Sequence, residues 1–242
     1  TLRRAPGVIG FHPDPFHPDY GLLYPNGAPA DLYLPWRTTA EAIGEGQYLG
    51  SVLLPGGSSN LIFARGEEGL MLVWNDRSVK ENLYLGDEVR ITDVWGATVP
   101  HENTPEGQLF SVDQWPRFVH GVSIPVARWR QEAGIAITRL PSVYGVPHRN
   151  RLRWQNTFDR PVSGEVTIVT KPGWLVTPNR FQFHLTRGEK TEREFTVTLP
   201  FDAEAGPQPV RLDYRVGTDR VSQFSSYHFV EVGLGDVYVE VT

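Results

Sequence analysis

From residue 47 onward apolar side chains recur at every second position, a spacing that an extended strand satisfies and a helix does not. Leu152 and Trp154 alternate with Arg151 and Arg153; Val166 and Ile168 with Glu165 and Thr167; Phe181, Phe183 and Leu185 with Gln182 and His184. Phe195, Val197 and Leu199, then Val210, Leu212, Tyr214 and Val216, continue the pattern. Each segment offers one face to a core and one to water. Earlier in the chain, strand-length runs at 48–54, 60–65, 69–75, 82–85 and 88–95 are separated by the turn material Pro55-Gly56-Gly57-Ser58, Gly66-Glu67-Glu68-Gly69 and Gly86-Asp87. They read as an antiparallel meander. Further strands are expected near 108–112 and 117–120, and 125–130 reads as an irregular connection. The runs of the second half, including 222–231 and 236–241, give about seven or eight short strands, the count of an immunoglobulin-like sandwich without the Cys-Trp-Cys signature.

Only the start of the chain breaks the period. Residues 11–19, FHPDPFHPD, are punctuated by proline and read as loop, because proline lacks a donor and restricts its predecessor. Between residues 30 and 43, Leu32, Trp36, Thr39 and Ile43 fall at helical spacing, with Gly44 placed to stop a helix. The expected fold class is therefore all-β: two consecutive antiparallel β-sandwich, immunoglobulin-like domains with a short N-terminal loop-helix segment. Residues 1–45 form that segment, 46–138 the first sandwich and 139–242 the second.

With no cysteine among 242 residues, disulfides, thiolate-held zinc and cysteine nucleophiles are all excluded, so each domain must be held by its core alone. A net charge of -5 supplies no positive field for a nucleic acid or an anionic membrane, and neither is expected as a partner. No apolar run reaches the roughly 20 residues of a membrane helix. The chain opens at Thr1 and its single methionine is Met71, which leads us to expect a mature product or a piece of a longer polypeptide.

Candidate chemistry is sparse. His12-Pro13-Asp14 and His17-Pro18-Asp19 carry metal-ligating side chains, but on a proline-rich loop rather than converging ordered elements, so no metal is expected. Glycoside hydrolysis needs two carboxyl groups facing each other across a cleft. Glu67 and Glu68 lie in a hairpin turn, and Asp87, Glu88 and Asp93 lie along one strand, where solvated charge is the simpler account. No nucleophile elbow occurs, and Gly56-Gly57-Ser58-Ser59 sits between strands, not before a helix. No catalytic residue and no cofactor is assigned. Surface tryptophans remain, since indoles stack on the apolar faces of sugar rings. Trp115, beside Pro116, and Trp129, between Arg128 and Arg130, fall outside clear alternation and are the carbohydrate-binding candidates; Trp74, Trp95, Trp154 and Trp174 read as core or core-edge. Arg149, Arg151 and Arg153 read as a solvated strand face.

The run Tyr20-Gly21-Leu22-Leu23-Tyr24-Pro25-Asn26-Gly27-Ala28-Pro29, followed by the helix carrying Trp36, by Asn60-Leu61-Ile62-Phe63 and by 69–74, resembles the tail of a bacterial (β/α)8-barrel glycoside hydrolase. There a loop enters the last barrel helix, which hands over to a C-terminal β-sandwich. Leu83-Tyr84-Leu85-Gly86, 89–93 and Trp95-Gly96 resemble strands of that sandwich. Pro172-Gly173-Trp174, Leu185-Thr186-Arg187-Gly188-Glu189 and Ala205-Gly206 are similar to the NEW3-like sandwiches appended to bacterial glycosidases. The resemblance implies an upstream catalytic domain in the parent chain as partner, with the catalytic carboxylates before Thr1, and an extracellular or periplasmic bacterial location. It leans away from an enzyme and towards a non-catalytic accessory or structural module, polysaccharide being a second partner. A stand-alone carbohydrate-binding module and a structural or adhesive cell-surface protein are the alternatives.

Overall fold

The computed structural model describes residues 21–233. The two His-Pro-Asp repeats and the strand expected at 236–241 lie outside the described residues. The fold is all-β, with two helices and several mainly antiparallel sheets among the described residues. It divides into two compact units between Ala127 and Arg128, earlier than the close near 138 that the sequence suggests. Residues 125–130, expected as irregular, belong to a second helix, α2 (Ile124–Glu132). Pro125 is tolerated because it lies in the first turn, where a backbone N–H has no intrahelical acceptor to lose.

The first unit comprises α1 (Tyr33–Ile43), β1 (Gln47–Gly50), β2 (Ser59–Arg65), β3 (Glu68–Trp74), β4 (Val79–Leu83), β5 (Arg90–Asp93), β6 (Thr98–Val99), β7 (Glu102–Thr104), β8 (Gly107–Val112) and β9 (Arg117–Val122). The expected meander holds for β1, β2 and β3 and then stops. β4 leaves to pair with β8, which also takes β7, while β9 returns between β3 and β5 to give the order β1-β2-β3-β9-β5-β6. The central place of β3 follows from its composition: Gly69 to Val73 are all buried, a continuous run suited to a strand covered on both faces. On one face Met71, Val73, Ile62, Ile91 and Val119 pack with Leu83, Phe110 and Val112 of the three-stranded sheet. On the other, Leu70, Leu72, Phe63 and Phe118 pack with Ala42 and Ile43 of α1. The helix is the lid of this second core.

A buried carboxylate ties the two sheets of this unit. Glu81 on β4 is fully buried, and its Oε2 and Oε1 accept the backbone N–H groups of Gly56 (2.8 Å) and Ser58 (3.1 Å). A Cβ at position 56 would sit 2.6 Å from Oε1, so only glycine fits. The turn before β2 is thus held from inside the protein.

The second unit carries β10 (Gly134–Ile135), β11 (Arg139–Leu140), β12 (Pro147–Gln155), β13 (Val162–Val169), β14 (Leu175–Thr177), β15 (Arg180–Leu185), β16 (Lys190–Thr198), β17 (Gly206–Gly217) and β18 (Val221–Val232). A four-stranded sheet, β10-β12-β16-β14, accompanies a five-stranded one, β11-β18-β17-β13-β15. Alternation is close to ideal on β17, where Val210, Leu212, Tyr214 and Val216 are buried and Arg211 and Arg215 are exposed. On the wet face of the other sheet Arg151 lies opposite Glu194 and bonds Glu192 at 2.8 Å, so the arginine row is answered by carboxylates.

Candidate functional site

Two tryptophans stand at one end of the six-stranded sheet of the first unit. Trp95 follows β5 and Trp115 precedes β9, the strand beside it; both are about half exposed, at 44% and 50%. Their ring centroids lie 5.3 Å apart and their planes are inclined by 53°. The pair forms one bent aromatic surface.

The backbone beneath each indole is fixed in the same way. Asp93 Oδ1 accepts the N–H of Trp95 at 2.9 Å, and Asp113 Oδ1 accepts the N–H of Trp115 at 2.8 Å. In both cases an aspartate closes a short turn onto the residue two places on, the local geometry that Asp favours. Asp93 Oδ1 also takes the N–H of Ala97, and Gly96 supplies the positive φ of +84° that lets the chain double back into β6. Pro116 restricts Trp115 to extended conformations.

The two turns are knitted together. Arg117, opposite Asp93 in the β5–β9 ladder, donates to Asp113 Oδ2 at 3.0 Å. Behind them the N–H of Asn75 donates to the Asp113 carbonyl at 2.8 Å, and Asn75 Oδ1 accepts the N–H of Arg77. Three side-chain-closed turns, after β3, after β5 and before β9, therefore meet at one end of one sheet. Such a scaffold orders the main chain beneath both indoles before any ligand arrives.

Of the two sequence candidates, one lies here and the other does not. Trp115 is exposed as expected and gains a partner in Trp95, which the sequence reads as core or core-edge and which is 44% exposed. Trp129 is corrected: it is fully buried in the second unit, enclosed by the rings of Phe158, Phe183, Tyr214 and Phe224 at 5.5–5.9 Å. An indole with no exposed face cannot stack on a sugar. Its neighbour Arg130 is buried too, its Nε donating to the Ser225 carbonyl at 2.7 Å.

Several further ionisable pairs lie on the surface of the second unit. An open groove of about 560 Å³ is lined by Asp159, Arg160, Pro161, Ser163, Gly217, Thr218 and Asp219. Arg160 pairs with both Asp159 and Asp219, and its hydrogen bond holds the Asp159 carboxyl below the usual carboxylate range. Glu189, accepting the Thr186 N–H, and Glu204, beside Lys171, are held low likewise. Carboxyls held low stay ionised at neutral pH, whereas a glycosidase's general acid must be pushed up. Ser163 Oγ lies 2.8 Å from His184 Nδ1 as a cross-strand pair on an exposed sheet face. Among the described residues no group of three or more His, Asp or Glu is arranged to hold a metal ion, and no helix is long and apolar enough to cross a membrane.

No family model matches the chain, and no curated protein does. Among solved structures it is similar to the periplasmic chaperone SfaE, at 16% identity over 44% of this chain and 59% of that one, with a TM-score of 0.26. It is also similar to a Bacteroides uniformis β-glucuronidase, at 12% identity over 70% of this chain and 26% of that one, TM-score 0.28. A second, B. uniformis β-glucuronidase 2 covalently bound to cyclophellitol-6-carboxylate aziridine, gives 14% identity, the same coverage and a TM-score of 0.28. The chain matches about a quarter of the length of those two proteins.

Proposed function

We propose that this chain is a non-catalytic, carbohydrate-associated module of a larger glycoside hydrolase-like protein, and that Trp95 and Trp115 form its sugar-contacting surface. The observation that carries the reading is the exposed indole pair, held by Asp93 and Asp113 at the end of a rigid sheet. Large aromatic rings left half in water, on turns closed by aspartate side chains, suit a ligand that supplies C–H faces for the rings and hydroxyls for the solvent side. The resemblance of residues 20–96 to a barrel tail and its sandwich supports the assignment to a larger glycosidase-like parent, in an extracellular or periplasmic setting. Display of the 242-residue chain on a polysaccharide array is the test. Binding to at least one glycan that Trp115→Ala weakens supports the reading; an array with no Trp115-dependent signal contradicts it.

A further inference from the structure

We infer that the Trp95–Trp115 surface takes a single, solvated, uncharged polysaccharide chain, and neither a flat crystalline polysaccharide face nor a polyanionic glycan. The inference rests on the reading of this surface as glycan-binding and names the class of glycan.

The first argument is shape. A crystalline polysaccharide presents ring faces in one plane, and a protein that grips it needs indoles that are coplanar and spaced apart along that plane. Here the planes are inclined by 53° and the centroids are 5.3 Å apart, within direct contact of each other. When one indole lies flat on a plane, the other stands well out of it. A concave or twisted partner can touch both: a single chain whose successive sugar rings rotate relative to each other, or one ring cupped between the two indoles. The main chain under both rings is fixed, each turn closed by its own aspartate and the two joined through Arg117 and Asp113, and the rings lie against each other at 5.3 Å.

The second argument is charge. The three turns carry the carboxylates of Asp76, Asp93 and Asp113 and the guanidinium groups of Arg77 and Arg117. Asp113 and Arg117 satisfy each other at 3.0 Å. Within the three turns that leaves Asp76 and Asp93 against Arg77, and on α1, whose Thr38 lies against Gly96, Arg37 and Glu41 pair with each other, so a net negative charge remains on a chain that is itself acidic overall. A uronate or sulfated chain gains no attraction from such a field, while an uncharged chain is indifferent to it.

The test is depletion and affinity electrophoresis of the whole chain against three probes at equal sugar concentration: soluble neutral polysaccharides (mixed-linkage β-glucan, unsubstituted xylan, galactan and mannan), microcrystalline cellulose and chitin, and polygalacturonate. Trp95→Ala and Trp115→Ala are run beside the unaltered protein. Retardation by at least one neutral soluble chain, weakened at least about fivefold by either substitution, with binding to the crystalline and polyuronate probes absent or unchanged by the substitutions, is the expected result. Tryptophan-dependent binding to crystalline cellulose or chitin, or to polygalacturonate, would overturn the inference and leave the glycan-binding reading standing. No tryptophan-dependent binding to any probe would overturn both.

Discussion

Asp113 holds Trp115 by its backbone N–H with one carboxylate oxygen and Arg117 by its guanidinium with the other, at 2.8 and 3.0 Å. One side chain thus sets the position of an exposed indole and joins it to the ladder that positions Trp95. Replacing Asp113 by Ala leaves the Trp115 amide to water and strips Arg117 of its partner. The expected cost is about 1–3 kcal/mol of first-unit stability together with weaker glycan binding. Asp113→Asn keeps an acceptor for Trp115 and gives up the charge, so its loss is intermediate; urea unfolding beside binding measurements separates the two.

Trp95→Ala and Trp115→Ala should act in the opposite sense. Both rings are about half exposed, so little core is lost and melting temperature should scarcely move. Binding to a glycan should fall by about 1–3 kcal/mol per ring, the range for stacking on an exposed aromatic platform. Calorimetry of unfolding and of binding on the same samples checks both statements.

Trp129→Ala is the converse control. Removing a fully buried indole from a cage of four aromatic rings should cost about 3–5 kcal/mol. Protein that remains folded at low temperature should bind glycan as before, because nothing of the sugar-contacting surface has been altered. A loss of affinity in folded Trp129→Ala protein would count against the placement of the site on the first unit.

Glu81 invites a stability prediction with no functional content. Its two oxygens serve the Gly56 and Ser58 amides in the interior. Glu81→Ala orphans both donors and should destabilise the first unit by about 1–3 kcal/mol. Gly56→Ala should be destabilising as well, since its methyl group would meet the same carboxylate at 2.6 Å. Thermal unfolding of the two variants is the check.

Acid should weaken the second unit through His228. Burial holds its imidazole down, to about 4 from the ordinary 6.5. Between those values an unfolded chain takes up the proton and the folded one resists it, so stability is fullest above about pH 6.5, falls towards pH 4 and levels below it. A shift of this size corresponds to at most about 3 kcal/mol. His120 in the first unit is lowered too, by burial and then by Arg90 and Arg65, and adds a contribution of the same sign. Comparing urea unfolding at pH 7 and pH 4.5 should show the slope, and His228→Gln should reduce it; a slope untouched by that substitution contradicts the assignment.

The second unit was largely legible in the sequence because each of its strands has one wet face, so period-two alternation marks its core directly. The first unit was less so. Its strands could be recognised, but β3 is covered on both faces, and nothing in a hydrophobic run states which strand lies beside it; the insertion of β9 between β3 and β5 is a tertiary decision. Trp129 misled because its flanking arginines suggested a surface. On a helix, adjacent residues point about 100° apart, and Arg128 is exposed while Trp129 is buried. Trp95 escapes the sequence candidates because the run 88–95 reads as continuous strand, whereas Asp93 ends it. The available signal was the repeated Asp-x-Trp, at Asp93-Val94-Trp95 and Asp113-Gln114-Trp115, each followed by a residue that shapes a turn, Gly96 or Pro116.

Everything proposed for function rests on the bent indole pair as a glycan-binding surface. Isothermal titration of the neutral soluble polysaccharide that binds most strongly, into the unaltered chain and into the Trp95→Ala, Trp115→Ala double variant, tests it most directly. Saturable binding to the first, no measurable heat with the second and the same melting temperature for both are expected. Equal affinity in the two proteins would contradict that reading of the pair.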